Sequence, residues 1–263
     1  MNKKIIQFDG KKFTQPISCL TTYSPGVAKI LDGNIDLILI GDSLGTTLYD
    51  MKNTQYVTMD MMMNHGRAVT QYIKKSISVI DMPFKTYQKK EQAYKNAKKL
   101  LDYTKAKFVK LEVDSTKIDI IEFLSRKKIN TIAHIGVTPQ SYKDFSKIRV
   151  LGKKLNERNK LVQLALSLEK VGAKSILLEC IDQKTAKIIT NNISIPTIGI
   201  GASKFCDGQI LVFDDVINLN TKEKKPKFIK GYINFKKLFS QAIKKYNKEV
   251  KLKKFPGKKN TYT

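Results

Sequence analysis

Ionisable side chains close a series of short apolar runs along the chain. The runs and their polar ends are DLILI (36–40) with Asp42 and Ser43 just beyond it, SISVID (76–81) with Asp81, KFVKLE (107–112) with Lys110 and Glu112, NTIAHI (130–135) with His134, and KSILLEC (174–180) with Glu179. An unpaired carboxylate at the end of a buried strand is costly unless it meets a cation, a metal ion or a hydrogen-bond donor. The pattern therefore indicates a shared site.

Each of these residues also has an ordinary structural interpretation. Asp42 and Asp81 stand where aspartate often closes a turn or caps a helix. Lys110 and Glu112 are two residues apart in a strand, so they face the same side and could form an internal ion pair. His134 could be a hydrogen-bonded core residue. Taken one at a time these alternatives stay open, but ionisable ends on five consecutive runs favour a site.

The carboxylates determine which chemistry is expected. Two or three of them without cysteine or clustered histidine partners are typical of a hard-cation site, and Mg²⁺ is the expected ion. Such an ion keeps open positions for a bidentate 2-oxo acid, whose C–H bond beside the carbonyl becomes acidic because the cation stabilises the enolate. The site would also need a base, and a cation for the carboxylate or the oxyanion.

Alternating strands and helices must position these residues. We predict strands over 16–22, 36–40, 76–81, 107–112, 130–135, 174–180, 195–201 and, weakly, 209–215, with helices that include 87–104 and 156–173. Continuous apolar strands alternating with amphipathic helices are typical of parallel sheets covered by helices. About eight such strands in 263 residues predict an α/β fold of the (β/α)8 TIM-barrel type, in which catalytic residues lie at the carboxyl ends of the strands.

A doubly wound sheet is the alternative fold. It would usually carry a Gly-rich dinucleotide loop after the first strand, whereas this chain continues with TTYSPG. We expect one barrel domain over residues 1–247 and a basic, disordered tail over 248–263, because VKLKKFPGKKNTYT has few apolar residues.

The net charge of +26 raises the question of nucleic-acid binding, but only four of the 49 basic residues are Arg. Nucleic-acid recognition favours the Arg fork, so a solvated lysine-rich surface is the preferred interpretation. The three cysteines show no metal spacing, no run reaches membrane length, and MNKKIIQFDG lacks the apolar segment of a signal peptide. A cytoplasmic protein that binds neither nucleic acid nor membrane is expected.

Seven short stretches occur in the order and spacing of the ketopantoate hydroxymethyltransferase family, which the chain resembles up to about residue 230. They are LIGDSLG (39–45), DMPF (81–84), VKLE (109–112), HIGVTPQS (134–141), LLEC (177–180), IPTIGIGA (195–202) and CDGQILV (206–212). The resemblance implies a (β/α)8 barrel that transfers a one-carbon unit from 5,10-methylenetetrahydrofolate to 3-methyl-2-oxobutanoate. The product is 2-dehydropantoate, in pantothenate biosynthesis, and the family uses Mg²⁺ and forms homo-oligomers, usually decamers.

The resemblance also implies a role for each strand-end residue. Asp42 and Asp81 correspond to direct metal ligands that also face the substrate, and Glu112 corresponds to an outer ligand acting through water. Glu179 corresponds to the catalytic base. Contacts to the 2-oxo acid are assigned to Ser43 and Lys110, and His134 lies in the matching substrate pocket.

Two departures from the family pattern concern loops. Ser24 follows Tyr23 where relatives commonly have an acid, and YKDFSKIRVLGKK (142–154) replaces a Gly-rich, aromatic segment. The latter segment could act as a lid, so folate affinity is the property it would change. None of the predicted metal or base positions is affected.

Two other functions compete with this one. Related barrels that act on phosphoenolpyruvate or isocitrate also hold Mg²⁺-bound 2-oxo acids, but they generally carry a Cys-containing KKCGH-like loop that this sequence lacks. A barrel that has lost its activity and binds RNA through its basic surface is a second alternative. The intact set of strand-end groups argues against the loss of activity.

Overall fold

Eight apolar strands form a closed barrel, as the sequence predicts. The computed structural model describes residues 6–219 and 226–262, and the chain divides into two units, Met1–Val212 and Phe213–Thr263. In the first unit, a hairpin of β1 (Ile6–Phe8) and β2 (Lys11–Phe13) precedes the barrel. The barrel strands are β3 (Ile17–Thr21), β4 (Leu37–Ile40), β5 (Ile77–Asp81), β6 (Phe108–Glu112), β7 (Thr131–Gly136), β8 (Ser175–Glu179), β9 (Thr197–Ile200) and β10 (Gly208–Leu211).

The strands follow one another around the barrel in chain order, and β10 pairs with β3 to close it. All eight neighbouring pairs are parallel. Seven of the predicted strands agree with the observed ones to within two residues at each end. This agreement reflects continuous apolar runs, which are typical of strands buried on both faces.

Helices connect the strands and cover the barrel. They are α1 (Pro25–Leu31), α2 (Leu44–Leu48), α3 (Met59–Thr70), α4 (Lys90–Thr104), α5 (Ile118–Arg126), α6 (Leu155–Lys170) and α7 (Gln183–Asn192), with short 3-10 turns at Thr54–Tyr56, Ser115–Lys117, Pro139–Ser141 and Phe145–Lys147. In α4, the buried residues Ala93, Ala97, Leu100 and Thr104 recur at helical spacing. This helix ends at Lys105, which adopts the left-handed conformation with φ of 63°.

The β1–β2 hairpin closes the amino end of the barrel and was not predicted. Its two-residue turn, Asp9–Gly10, has positive φ at both positions (51° and 73°), as a type I′ turn requires. Ile6 and Phe8 are buried in the same cluster as the inward-facing strand residues. The ring of Phe8 lies 5.0 Å from that of Phe108. The Asp9–Gly10 pair is the sequence signal that could have indicated this hairpin. Strands of three residues are too short to show a reliable alternating pattern.

The second unit contains α8 (Phe213–Val216), α9 (Phe235–Lys251) and a 3-10 turn at Lys258–Asn260. The prediction of a strand over 209–215 was therefore wrong in its second half. Asp214 and Asp215 lie in the first turn of α8. The helix dipole favours carboxylates at this position, whereas aspartate is disfavoured in strands.

Helix α9 crosses the predicted domain boundary at residue 247, because its apolar spacing continues to Val250. The division into a barrel over 1–247 and a disordered tail over 248–263 stays a prediction. Over the described residues, none of the helices combines the length and apolar character needed to cross a membrane.

Candidate active site

The predicted site residues lie at the carboxyl ends of five neighbouring strands. Asp42 follows β4, and the others end or lie near the end of β5 to β8. The strand register places Asp81 opposite Lys110 and Glu112 opposite His134. The prediction of a polar cluster at one end of the barrel thus agrees with the geometry, and the contacts below describe how its members meet.

Asp81 joins two of its neighbours. Its Oδ2 accepts a hydrogen bond of 2.9 Å from the backbone N–H of Asp42, and its Oδ1 lies 2.8 Å from Nζ of Lys110 in an ion pair with both side chains buried. Lys110 therefore pairs with Asp81, in the neighbouring strand, rather than with Glu112 in its own strand. These contacts place Asp81 in the cluster instead of at a helix cap.

His134 links Lys110 to two glutamates. Nδ1 of His134 is 3.4 Å from Lys110 Nζ and 3.8 Å from Oε1 of Glu112. Nε2 is 3.3 Å from Oε2 of Glu179. Because an ammonium group can only donate, Nδ1 is the acceptor and the ring proton lies on Nε2, the nitrogen next to Glu179.

Ser43 is held beside Asp42 by a tyrosine that the sequence analysis did not assign to the site. The hydroxyl groups of Tyr23 and Ser43 are 2.7 Å apart, and Thr21 donates to the Tyr23 hydroxyl at 3.1 Å. A Cβ at Gly41 would lie 2.9 Å from Ser43 Oγ and 3.5 Å from Asp81 Oδ2. Glycine at position 41 therefore lets the backbone approach these side chains closely.

Gln140 is a second residue that sequence reasoning missed. Its Nε2 donates to Oδ2 of Asp42 at 2.7 Å and to the carbonyl oxygen of Met82 at 3.0 Å. Its backbone N–H donates to Oε2 of Glu112 at 3.0 Å, and the hydroxyl of Tyr87 donates to its Oε1. The stretch HIGVTPQS contains Gln140, but nothing local shows that an amide after β7 reaches a carboxylate after β4.

Burial and mutual repulsion change the ionisation of the carboxyl groups. Burial, followed by the nearby charge of Asp81, raises the pKa of Asp42 to about 7. Burial and the charge of Asp42 likewise raise the pKa of Glu112 well above its ordinary value. Burial alone would lower the pKa of Lys110, but Asp81, Asp42 and Glu112 outweigh it, so the net shift is upward. The lysine therefore carries its charge near neutral pH.

Burial lowers the pKa of His134, and the charge of Lys110 lowers it further, while Glu179 acts in the opposite direction. The imidazole is therefore neutral near pH 7, which agrees with the single ring proton inferred from its contacts. Glu179 differs from the other carboxylates because 17% of its side chain is exposed, against 3% for Asp81 and 4% for Glu112. It is the carboxylate of the cluster that an incoming molecule can reach.

The cluster has the donor set of a magnesium site but not of a closed metal cage. Across residues 6–219 and 226–262, no three His, Cys, Asp or Glu side chains converge to hold a metal ion. Mg²⁺ commonly binds through one or two carboxylates and several waters. The carboxylate oxygens of Asp42 and Asp81 are hard donors of this kind, so these two residues fit a Mg²⁺ site. Burial and the nearby charge of Asp81 disfavour the ionised form of Asp42 and raise its pKa, and a bound divalent cation would favour that ionised form.

The altered segment 142–154 is attached to the barrel at several points. Asn53 Nδ2 donates to the carbonyl oxygen of Lys143 at 3.2 Å. Arg149 pairs with Glu157, and Leu151 forms a parallel bridge with Ile181. The lid role of this segment stays a prediction. Ser24, the other departure, is the N-cap residue of α1 and makes no side-chain capping bond.

Comparison with known proteins identifies relatives over nearly the whole chain. The family model described as ketopantoate hydroxymethyltransferase matches residues 3–258. The 3-methyl-2-oxobutanoate hydroxymethyltransferase of Pelagibacter ubique (strain HTCC1062) is 45% identical over 262 residues, which cover 100% of both chains. The protein of the same name from Rhizobium rhizogenes (strain K84 / ATCC BAA-868) is 40% identical, covering 97% of this chain and 94% of its own.

A solved structure supports the fold alone. The 2,3-dimethylmalate lyase described as a PEP mutase/isocitrate lyase superfamily member has a TM-score of 0.56 and 13% sequence identity, and the match covers 75% of this chain and 73% of the lyase chain. At that identity the similarity extends to the barrel and not to its chemistry.

Proposed function

Because the chain belongs to the ketopantoate hydroxymethyltransferase family, we propose that it transfers a hydroxymethyl group from 5,10-methylenetetrahydrofolate to 3-methyl-2-oxobutanoate. The product is 2-dehydropantoate, which places the reaction in pantothenate and coenzyme A biosynthesis. The observation that carries this proposal is the cluster in which Lys110 lies 2.8 Å from Asp81 and 3.4 Å from His134, which in turn contacts Glu179.

Asp42 and Asp81 would hold Mg²⁺ directly, and Glu112 would act on it through water. When bound, Mg²⁺ supplies positive charge that makes the C3 proton of a 2-oxo acid more acidic. The contacts of these carboxylates with Gln140 and Lys110 hold them in place before substrate arrives. Such preorganisation avoids reorienting the ligands during the reaction.

Glu179 is the proposed base that takes the proton from C3 of the substrate. It is the most exposed carboxylate of the cluster, and Nε2 of His134 lies 3.3 Å from its Oε2. That contact restrains the orientation of the carboxylate. A positioned carboxylate of this kind contributes about 10²- to 10⁴-fold to the rate of proton transfer.

Lys110 and Ser43 are the proposed contacts to the 2-oxo acid. The Lys110 ammonium stays charged in its buried position and can stabilise the carboxylate or the developing oxyanion of the substrate. Formation of the bond between C3 and the methylene carbon breaks one of the two bonds that join this carbon to folate nitrogens. Water then replaces the second nitrogen, which completes the hydroxymethyl group and releases tetrahydrofolate, whose two nitrogens take up the protons from C3 and from water.

A direct assay tests this proposal. The purified chain is incubated with 3-methyl-2-oxobutanoate and 5,10-methylenetetrahydrofolate, with Mg²⁺ or with excess chelator, and 2-dehydropantoate is measured. We expect product only when Mg²⁺ is present and both substrates are supplied. Absence of product at every folate concentration would refute the proposed reaction, and full activity in chelator would refute the metal requirement.

We further propose that the protein is a cytoplasmic homo-oligomer, a decamer by its family, that binds small molecules and not nucleic acid. Its cysteines are free thiols, which suits a reducing compartment. On α9, Leu238, Phe239 and Ile243 are more than half exposed, an apolar face that another copy could cover. Light scattering would test the proposed homo-oligomer. A titration with RNA at physiological salt would test the proposal that the protein does not bind nucleic acid.

A further inference from the structure

Gln140 lies in the 3-10 turn Pro139–Ser141 that follows β7, and it is 3% exposed. Its neighbours in space come from loops distant in sequence. The nearest in sequence among its side-chain partners is Tyr87, 53 residues away, and Asp42 is 98 residues away. A buried amide at such a position needs its hydrogen-bonding groups satisfied.

The contacts of Gln140 determine the orientation of its amide. Nε2 uses its two hydrogens for Asp42 Oδ2 and the Met82 carbonyl, both of which are acceptors. Oε1 accepts from the hydroxyl of Tyr87, which is itself buried. Reversing the amide would place Oε1 against two acceptors, so only one orientation satisfies all three partners.

The backbone of Gln140 is held separately from its side chain. Its N–H donates to Glu112 Oε2 at 3.0 Å, and its carbonyl oxygen accepts from Nε2 of Gln55 at 2.7 Å. A change in the side chain therefore leaves two anchors of the turn in place. One residue thus contacts both Asp42 and Glu112, by its side chain and its backbone respectively.

We propose that Gln140 is a positioning residue that aims the Asp42 carboxylate at the cation, with Tyr87 locking its amide. The amide occupies Oδ2 of Asp42 and leaves Oδ1 as the oxygen presented to the ion. The inference rests on the metal site of the proposed function. It adds two residues to that site, because Gln140 and Tyr87 act through Asp42 and touch neither substrate nor metal.

The experiment measures metal binding without turnover. Mn²⁺, which accepts the same hard oxygen ligands as Mg²⁺, is titrated into wild type and Gln140→Met, and free Mn²⁺ is followed by electron paramagnetic resonance. Loss of a hydrogen bond that orients a ligand typically costs 10- to 100-fold in metal affinity. We expect Gln140→Met to weaken Mn²⁺ binding by about that factor and to raise the Mg²⁺ concentration needed for half-maximal activity.

Tyr87→Phe provides a second variant that keeps the amide of Gln140. It removes only the hydroxyl that donates to Oε1, so we expect a weakening of Mn²⁺ binding by about two- to tenfold, the effect of one hydrogen bond. A residue that merely packs the turn would lower the melting temperature without changing metal affinity. The two variants together distinguish positioning from packing, even if Gln140→Met folds poorly.

Gln92→Met is the matched control, since Gln92 makes its side-chain hydrogen bonds to Lys85 and Gln88 at an exposed position. It should bind Mn²⁺ as wild type does. Wild-type affinity in Gln140→Met and Tyr87→Phe would overturn the inference while leaving the proposed function intact. Failure of wild type itself to bind Mn²⁺ would overturn both the metal site and the inference.

Discussion

At the amino end of β6, Phe108 packs against Phe8, whereas four residues later Glu112 lies among the ionisable groups at the other end of the barrel. Strand β5 shows the same change, since Ile77 and Val79 belong to the apolar cluster and Asp81 pairs with Lys110. Residues two apart in a strand share a face. Strands β5 and β6 therefore pass from apolar to charged along a single inward-facing row.

The difference between these two ends separates stability from function. The apolar end, which we call the floor, comprises Ile6, Phe8, Phe108 and the inward residues around them. Burial of these apolar side chains is favourable without any need for a charged or hydrogen-bonding partner. The charged end, which we call the mouth, holds buried groups that are costly unless paired. We therefore expect that weakening the floor lowers stability more than activity, and that removing the proposed base at the mouth lowers activity more than stability.

The largest expected effect is at the mouth. Glu179→Gln removes the proposed base but keeps its size, so we expect exchange of the C3 proton of 3-methyl-2-oxobutanoate to fall by about 10²- to 10⁴-fold. Binding of the 2-oxo acid and the melting temperature should stay near wild type. Exchange is followed by nuclear magnetic resonance in D₂O.

Glu122→Gln provides the matched control, because Glu122 forms an exposed ion pair with Arg126 on α5. We expect this variant to exchange the proton at the wild-type rate. Unchanged exchange in Glu179→Gln would remove Glu179 from the role of base.

The second effect is at the floor. Phe108→Ala deletes a ring that is 2% exposed and contacts Phe8, and truncation of a buried Phe typically costs about 3–5 kcal/mol in the free energy of unfolding. Urea denaturation should show this loss, while kcat of the folded enzyme stays near wild type.

Phe205→Ala is the control for the floor, since Phe205 is 43% exposed. Its free energy of unfolding should change by no more than about 0.5 kcal/mol. A large fall in kcat for folded Phe108→Ala would contradict the separation of floor and mouth.

The third effect is a pH dependence that arises at the mouth. In protein freed of metal by a chelator, the Asp42 carboxyl has its pKa raised from 3.8 to about 7. At pH values between these two, the folded state keeps a proton that the unfolded state releases. The free energy of unfolding contributed by Asp42 should therefore fall as pH rises from about 4 to about 7. Asp42→Asn should remove this component, which melting temperatures of both proteins over this range would show.

His134, whose pKa is lowered, acts in the opposite direction, because its unfolded form binds a proton that the folded form does not. The comparison of wild type with Asp42→Asn therefore reports the Asp42 carboxyl together with its effect on Glu112 and Lys110. Parallel pH profiles for the two proteins would contradict the raised pKa of Asp42.

Sequence patterns were sufficient for the barrel strands because each strand is a local apolar run, and such runs are visible without knowledge of their neighbours. They were insufficient for β1 and β2, which are three residues long, and for α8, where an apolar run leads into Asp214 and Asp215. The strand-end residues could be identified for the same local reason, because a charged residue interrupts or follows an apolar run.

The sequence by itself determined the alternation of strand and helix, the family, and which ionisable residues end the strands. Tertiary structure decided how these residues pair: Lys110 with Asp81 instead of Glu112, and Gln140 with Asp42 across 98 positions of the chain. Pairing depends on strand register and on loops that meet only when the barrel closes. Neither can be predicted from the spacing of residues within one segment. The raised pKa of Asp42 has the same origin, since burial and the approach of Asp81 exist only in the folded barrel.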